Sequence, residues 1–268
     1  MNQLIAPLVM GILNVTPDSF ADGGRHFSLE SAVHRAEEMM LEGVDIIDVG
    51  GESTRPGAGR VSAAQEEERV IPVIKALSER GATISIDTMR SSIAQSAIAA
   101  GATYVNDVSG GLADPDMAKV ISRHPDVQYI VMHWRGHSAN MNDLAVYDDV
   151  VIDVKDELDN RVLALTKLGV REEQIILDPG IGFAKLPEHN WQLLRNLDRL
   201  ALLGFPLLVG ASRKRFLGEL LGGAAPDERE NVSVALTALL TKSGIWGIRT
   251  HSVRPHKEAI SVALELMK

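Results

Sequence analysis

Apolar residues along the chain fall into two rhythms that alternate from end to end. Short runs that are apolar or β-branched at nearly every position occur at LVMGILNV (8–15), VDIIDVG (44–50), ATISID (82–87), TYVND (103–107), VQYIVMH (127–133), QIILD (174–178), PLLVG (206–210) and WGIRT (246–250). Such continuous runs predict strands buried on both faces. Between them, apolar residues recur at helical spacing. Leu29, Val33, Ala36, Met39 and Met40 follow a capping Ser28, and Val70, Val73, Ile74 and Leu77 lie between the Ser62/Gln65 capping box and Gly81. Pro255 sits where a last helix begins.

Eight strand-then-helix periods predict an α/β fold, a TIM (β/α)8 barrel, with residues 1–268 forming one domain. An open doubly wound sheet is the rival architecture. The lack of a G-x-G-x-x-G after an early strand disfavours it. The polar stretch 134–149 reads as an excursion from the barrel.

Composition narrows the function more than the fold. The net charge of −9 argues against a broad nucleic-acid surface, so an anionic ligand needs a local cationic pocket. With no cysteine, neither a disulfide framework nor a thiolate metal site is available. The N-terminus lacks a basic region and cleavage site, and no apolar run approaches the roughly 18 residues that span a bilayer. The chain therefore reads as soluble and cytoplasmic, with no membrane or nucleic-acid partner.

The active site of a βα barrel lies at the C-terminal ends of its strands. Here those ends carry Asn14, Asp48, Asp87, Asn106, Asp107, His133, Asp178, Arg249 and His251, and strand seven runs into Ser212-Arg213-Lys214. A single Asp or Asn after a strand is more often a helix cap or turn residue. So many converging on one mouth favour a site. Asp87, Asn106 and Asp178 suit a flat heterocycle that presents N–H donors and a carbonyl. Lys214, Arg55, Arg249 and His251 suit phosphate or carboxylate oxygens. Asn14 offers an amide oxygen to a hard cation such as Mg2+. No further ligands stand at zinc spacing from His133, which reads as a structural residue of the mouth.

Several long motifs in fixed order carry a specific resemblance: MGILNVTPDSFADGG (10–24), DVGGESTRPGA (48–58), SIDT (85–88), NDVSGG (106–111), DPGIGFAK (178–185), GASRKRFLG (210–218) and RTH (249–251). From Val9 to about the last helix the chain resembles the bacterial dihydropteroate synthase family. That resemblance implies condensation of 6-hydroxymethyl-7,8-dihydropterin diphosphate with p-aminobenzoate, giving 7,8-dihydropteroate and diphosphate in folate biosynthesis. It places Asp87, Asn106, Met132, Asp178 and Lys214 around the pterin, with Arg249 near the ring. It assigns Asn14, Arg55, Arg249 and His251 to the diphosphate, with Mg2+ at Asn14. It gives p-aminobenzoate to Phe20, Thr54, Arg55, Pro56, Phe183, Ser212 and Lys214, and makes Asp87, Asp178, Lys214 and Arg55 the catalytic set. A homodimer is also implied.

The expected mechanism is dissociative and SN1-like, with no covalent enzyme intermediate. Two positions depart from the family pattern: Ser252 stands where Asp is more usual, and Ala184 where glycine is common, a methyl the loop is expected to tolerate. A pterin-dependent methyltransferase domain would share the barrel and its Asp/Asn triad but leave the STRPG, SRK and RTH segments without a role. A non-catalytic pterin-binding paralogue is the other alternative.

Overall fold

The structure is a computed structural model that describes residues 5–16, 29–52, 61–137 and 141–268. The eight apolar runs become eight parallel strands: β1 (Leu8–Asn14), β2 (Ile46–Gly50), β3 (Ile84–Asp87), β4 (Tyr104–Asp107), β5 (Gln128–Met132), β6 (Ile175–Asp178), β7 (Leu208–Val209) and β8 (Gly247–Thr250). Their hydrogen-bonded order is β6-β5-β4-β3-β2-β1-β8-β7. The two ends of that order meet where Leu177 bridges Leu207 and the Leu177 N–H donates to the Pro206 carbonyl at 2.9 Å. The sheet thereby becomes a nearly closed TIM barrel.

Around it run α1 (Leu29–Leu41), α2 (Ala63–Ser78), α3 (Ser91–Ala99), α4 (Met117–Ser122), α5 (Val150–Lys167), α6 (Pro187–Arg195), α7 (Leu197–Ala201), α8 (Arg215–Leu220), α9 (Glu230–Thr241) and α10 (Arg254–Glu265). The capping box on α2 forms in both directions between Ser62 and Gln65, and Pro255 lies in the first turn of α10. Ser28 falls outside the described residues. Among its described residues the 134–149 excursion includes a short 3-10 turn, Met141–Leu144, before Asp149 caps α5 through the N–H groups of Val151 and Ile152. Among the described residues, no helix is long and apolar enough to cross a membrane.

Strand register decides which residues face the barrel axis. Successive side chains on a strand point to opposite faces. Pairings of Met10 with Ile46, Ile12 with Asp48, Asp48 with Ser85, Asp87 with Asn106, Asn106 with Ile130 and Met132 with Asp178 carry one parity around the ring. The opposite parity, including Val9, Leu13, Ile47, Val49, Ile86, Val105, Val131 and Leu177, packs outward into the large core shared with the helices. Each such side chain contributes about 1.5–3 kcal/mol on burial, so most of the stability lies in this outer layer.

The inward parity is divided by depth. Met10, Ile46, Ile130, Ile176 and Leu208 form a compact apolar plug, closed below by Leu8, Tyr104 and Trp246. Above the plug the same parity turns polar at Asp48, Asp87, Asn106, Asp178 and Arg249. One alternation rule thus builds the core and delivers charge to the mouth.

Candidate functional site

Arg249 is the centre of the polar layer. Its Nε donates to Asp48 Oδ2 at 2.6 Å and its Nη2 to Asp87 Oδ2 at 2.7 Å. The Asn106 amide nitrogen donates to the same Asp48 oxygen at 3.0 Å. Asp48 is 0% exposed, whereas Asp87 and Asn106 retain a little surface at the mouth. The deeper carboxylate orients the Arg249 and Asn106 side chains, and the shallower one faces outward. Burial pushes the Asp87 carboxyl up to about 7, against the pull of the Arg249 guanidinium.

Across the mouth, Asp178 Oδ1 accepts the Gly180 N–H at 2.7 Å. Burial raises its pKa while Lys214 opposes the shift. Lys214 itself donates to the Ile181 carbonyl, and its Nζ stands 4.6 Å from the Phe183 ring centroid. Burial lowers the Lys214 ammonium to about 8, with Asp178 holding it up. The inward positions Gly50 and Gly210 bear no side chain. A Cβ on Gly210 would lie 3.8 Å from Asp178 Oδ2 and 3.9 Å from Lys214 Nζ. One on Gly50 would lie 3.7 Å from Asp87 Oδ2 and 3.8 Å from Asn14 Oδ1.

The turn after β6 depends on glycine. Gly180 has φ +68°, and a Cβ there would sit 2.5 Å from the His133 carbonyl oxygen. Gly180→Ala is expected to destabilise the fold by about 2 kcal/mol or more through left-handed strain and a backbone clash. Urea unfolding reads this directly, and an unchanged midpoint would contradict the packing described. Ala184 in the same loop also has a left-handed φ of 47°. Its methyl is accommodated at a cost of about 1 kcal/mol, and its carbonyl accepts the Tyr147 hydroxyl at 2.9 Å.

The loops after β7 and β8 are joined side chain to side chain. Ser212 Oγ lies 3.0 Å from His251 Nδ1 and accepts the His251 N–H at 3.3 Å. Behind them, Glu230 at the start of α9 accepts from Arg213 Nε at 2.7 Å and from Ser252 Oγ, and lies 3.3 Å from His256 Nε2. Ser252 thus leans on a carboxylate supplied from another element. Against the desolvation of burial, the hydrogen bonds from Ser252 and Arg213, with His256 nearby, hold Glu230 near 2.

The structure therefore brings Asn14, Asp87, Asn106, Met132, Asp178, Phe183, Ser212, Lys214, Arg249 and His251 to one end of the barrel. Phe20, Thr54, Arg55 and Pro56 lie outside the described residues. Sequence reasoning left Asp48 without a partner, although its parity with Ile46 already placed it on the axis. It assigned no role to Lys185 or Glu230, whose side-chain partners His133, Arg213 and Ser252 stand 17 to 52 positions away. Among the described residues no group of three or more His, Cys, Asp or Glu side chains is placed to hold a metal ion. An ion beside Asn14 would take most of its ligands from substrate and water, the coordination that suits Mg2+.

The chain is similar to known proteins over nearly its whole length. Residues 10–251 match the family described as pterin binding enzyme. The dihydropteroate synthase of Mycobacterium leprae is 46% identical over 265 residues, covering 96% of this chain and 93% of that protein. The structure of Xanthomonas albilineans dihydropteroate synthase with 4-aminobenzoic acid superposes with a TM-score of 0.91 at 40% identity, covering 98% of this chain and 94% of that one. The same enzyme in complex with 7,8-dihydropteroate gives a TM-score of 0.89 at 37% identity, covering 99% and 95%.

Proposed function

Because the chain belongs to the dihydropteroate synthase family of pterin-binding transferases, we propose that it joins 6-hydroxymethyl-7,8-dihydropterin diphosphate to p-aminobenzoate, releasing diphosphate and 7,8-dihydropteroate. The observation that carries this reading is the Asp87–Arg249–Asp48–Asn106 constellation facing Asp178 and Lys214 across one mouth. Related enzymes hold 4-aminobenzoic acid and 7,8-dihydropteroate, which supports the same pair of small molecules here.

The chemistry follows from charge placement. Asp87, Asp178 and the Asn106 amide would bind the donor-rich edge of the pterin, and Lys214 its carbonyl side. Arg249, His251 and Arg55 would take the diphosphate oxygens. Asn14 would hold Mg2+ through its amide oxygen. Bound there, the ion would neutralise the leaving diphosphate. Departure of that group leaves positive charge on the pterin methylene and ring, and the fixed carboxylates of Asp87 and Asp178 stabilise it without reorganising. The neutral amine of p-aminobenzoate then attacks, so no covalent enzyme intermediate and no strong general base are needed. Ser212, Phe183 and Lys214 would orient that second substrate with Phe20, Thr54, Arg55 and Pro56.

Purified protein supplied with both substrates and Mg2+ should release diphosphate and form dihydropteroate. Pterin binding without turnover would overturn the synthase reading in favour of a non-catalytic paralogue. Methyl transfer to a corrinoid would favour the methyltransferase instead.

The buried charges also predict a pH profile. As pH falls through about 7, Asp87 gains a proton and loses its negative charge; as pH rises through about 8, Lys214 loses its positive charge. A plot of kcat/KM for the pterin, which reports the free enzyme, should be a narrow bell between those values. Lys214→Arg should abolish the alkaline limb, since a guanidinium does not titrate there. Retention of that limb in the variant would assign it to another group.

A further inference from the structure

Lys185 closes the DPGIGFAK segment and is buried beside the site, and its hydrogen bonds go to His133 and the Phe183 backbone. Its Nζ lies 3.0 Å from His133 Nδ1 and donates to the Phe183 carbonyl at 3.1 Å. Burial lowers the Lys185 ammonium to about 7; below that pH it only donates, so His133 Nδ1 presents its lone pair. The ring proton is then on Nε2, which lies 2.9 Å from Glu157 Oε2 and donates to it. Arg135 braces the other side of Glu157 at 3.1 Å and stacks over Tyr147, with 3.8 Å from its guanidinium carbon to the ring centroid. The Tyr147 hydroxyl returns to the Ala184 carbonyl.

A chain of directed contacts thus runs from α5 through β5 into the loop after β6. Its two ends grip the peptides on either side of Ala184. Burial, reinforced by the neighbouring Lys185 charge, lowers His133 to about 4, so its neutral form bridges the cation and the carboxylate. Phe183, held by its own carbonyl, carries the ring under Lys214 Nζ.

We propose that Lys185 is a positioning residue for the second-substrate end of the site: acting through its contacts with His133 and the Phe183 carbonyl, it locks the loop after β6 and sets the Phe183 ring against Lys214. This rests on the reading that Phe183 and Lys214 meet p-aminobenzoate. Lys185 touches neither substrate. Its loss is therefore felt as poorer capture of the arylamine, with the pterin end of the mouth left intact.

The full-length Lys185→Met and Lys185→Arg variants test this with steady-state kinetics and pterin titration. Lys185→Met should raise KM for p-aminobenzoate at least about tenfold while kcat falls less and pterin affinity stays within about twofold. Lys185→Arg, which keeps donors, should recover most of the lost KM. An unchanged KM in Lys185→Met, or an equal loss of pterin affinity, would overturn the proposal.

A second measurement needs neither turnover nor a folded variant. 15N NMR of the wild-type His133 ring at pH 6 should show the neutral Nε2–H form, despite the facing Glu157, Lys185, Arg135 and Tyr147 groups. An imidazolium or an Nδ1–H tautomer would sink the proposed lock. Should the chain turn over neither substrate, the synthase reading falls by itself, and this spectrum still decides whether Lys185 holds His133.

Discussion

Replacing Asp87 with alanine is expected to weaken pterin binding about a thousandfold, a loss of about 4 kcal/mol. Two effects combine. The ligand loses a charged acceptor, and the Arg249 Nη2 that donates to Asp87 at 2.7 Å loses its partner next to the ring site. Isothermal titration with the pterin substrate measures this directly, and affinity within tenfold of wild type would show that Asp87 does not contact the ring. Arg55→Ala provides the contrast. It should damage turnover and p-aminobenzoate capture while leaving affinity for a pterin without the diphosphate within a few-fold. Equal loss of pterin affinity in both variants would contradict the division of the site into a ring end and an anion end.

The largest effect on stability is expected from Asp48→Ala. This carboxylate is fully buried and receives both Arg249 Nε and the Asn106 amide. Removing it leaves a buried guanidinium with Asp87 alone and strands the Asn106 donor. Breaking one side of a buried charge pair typically costs about 3–5 kcal/mol. Chemical denaturation should therefore show a loss in that range. A loss below about 1 kcal/mol would mean that Arg249 finds solvent or another partner once Asp48 is gone. Pterin binding should suffer as well, because Arg249 would then pull wholly on Asp87.

The barrel was legible because its main cause is local. Continuous apolar runs such as VDIIDVG and QIILD call for strands covered on both faces, and each became one, shortened by a residue or two where the ladder ends. PLLVG shrank most, to Leu208–Val209, since Leu207 makes only an isolated bridge across to β6. The α2 capping box was equally local and formed as its spacing predicts.

The candidate site was legible in its membership and less so in its wiring. Asp87, Asn106 and Asp178 each close a strand and could be picked out one by one. What joins them required register. Arg249 meets Asp48 across 201 positions of sequence, and Glu157 meets His133 from a helix 24 positions away. Glu230 similarly reaches Ser252, 22 positions on. No short motif encodes such pairs, because they depend on where the ring of strands brings distant segments side by side. Ser252 illustrates the point. In the sequence it is a lone departure from a family pattern, and in the fold its hydroxyl donates to Glu230 beside Arg213.

Gly50 and Gly210 differ in kind from Gly180. Neither has a left-handed backbone, and a methyl group on either would meet its neighbours at ordinary contact distances. The chain does not need glycine at these positions in order to fold. Their smallness serves the guest: the cavity is shaped by two omitted side chains as much as by those present. Enlarging either residue would fill the slot from within while the scaffold around it stood unchanged, so room for a flat ring can be lost without losing the protein.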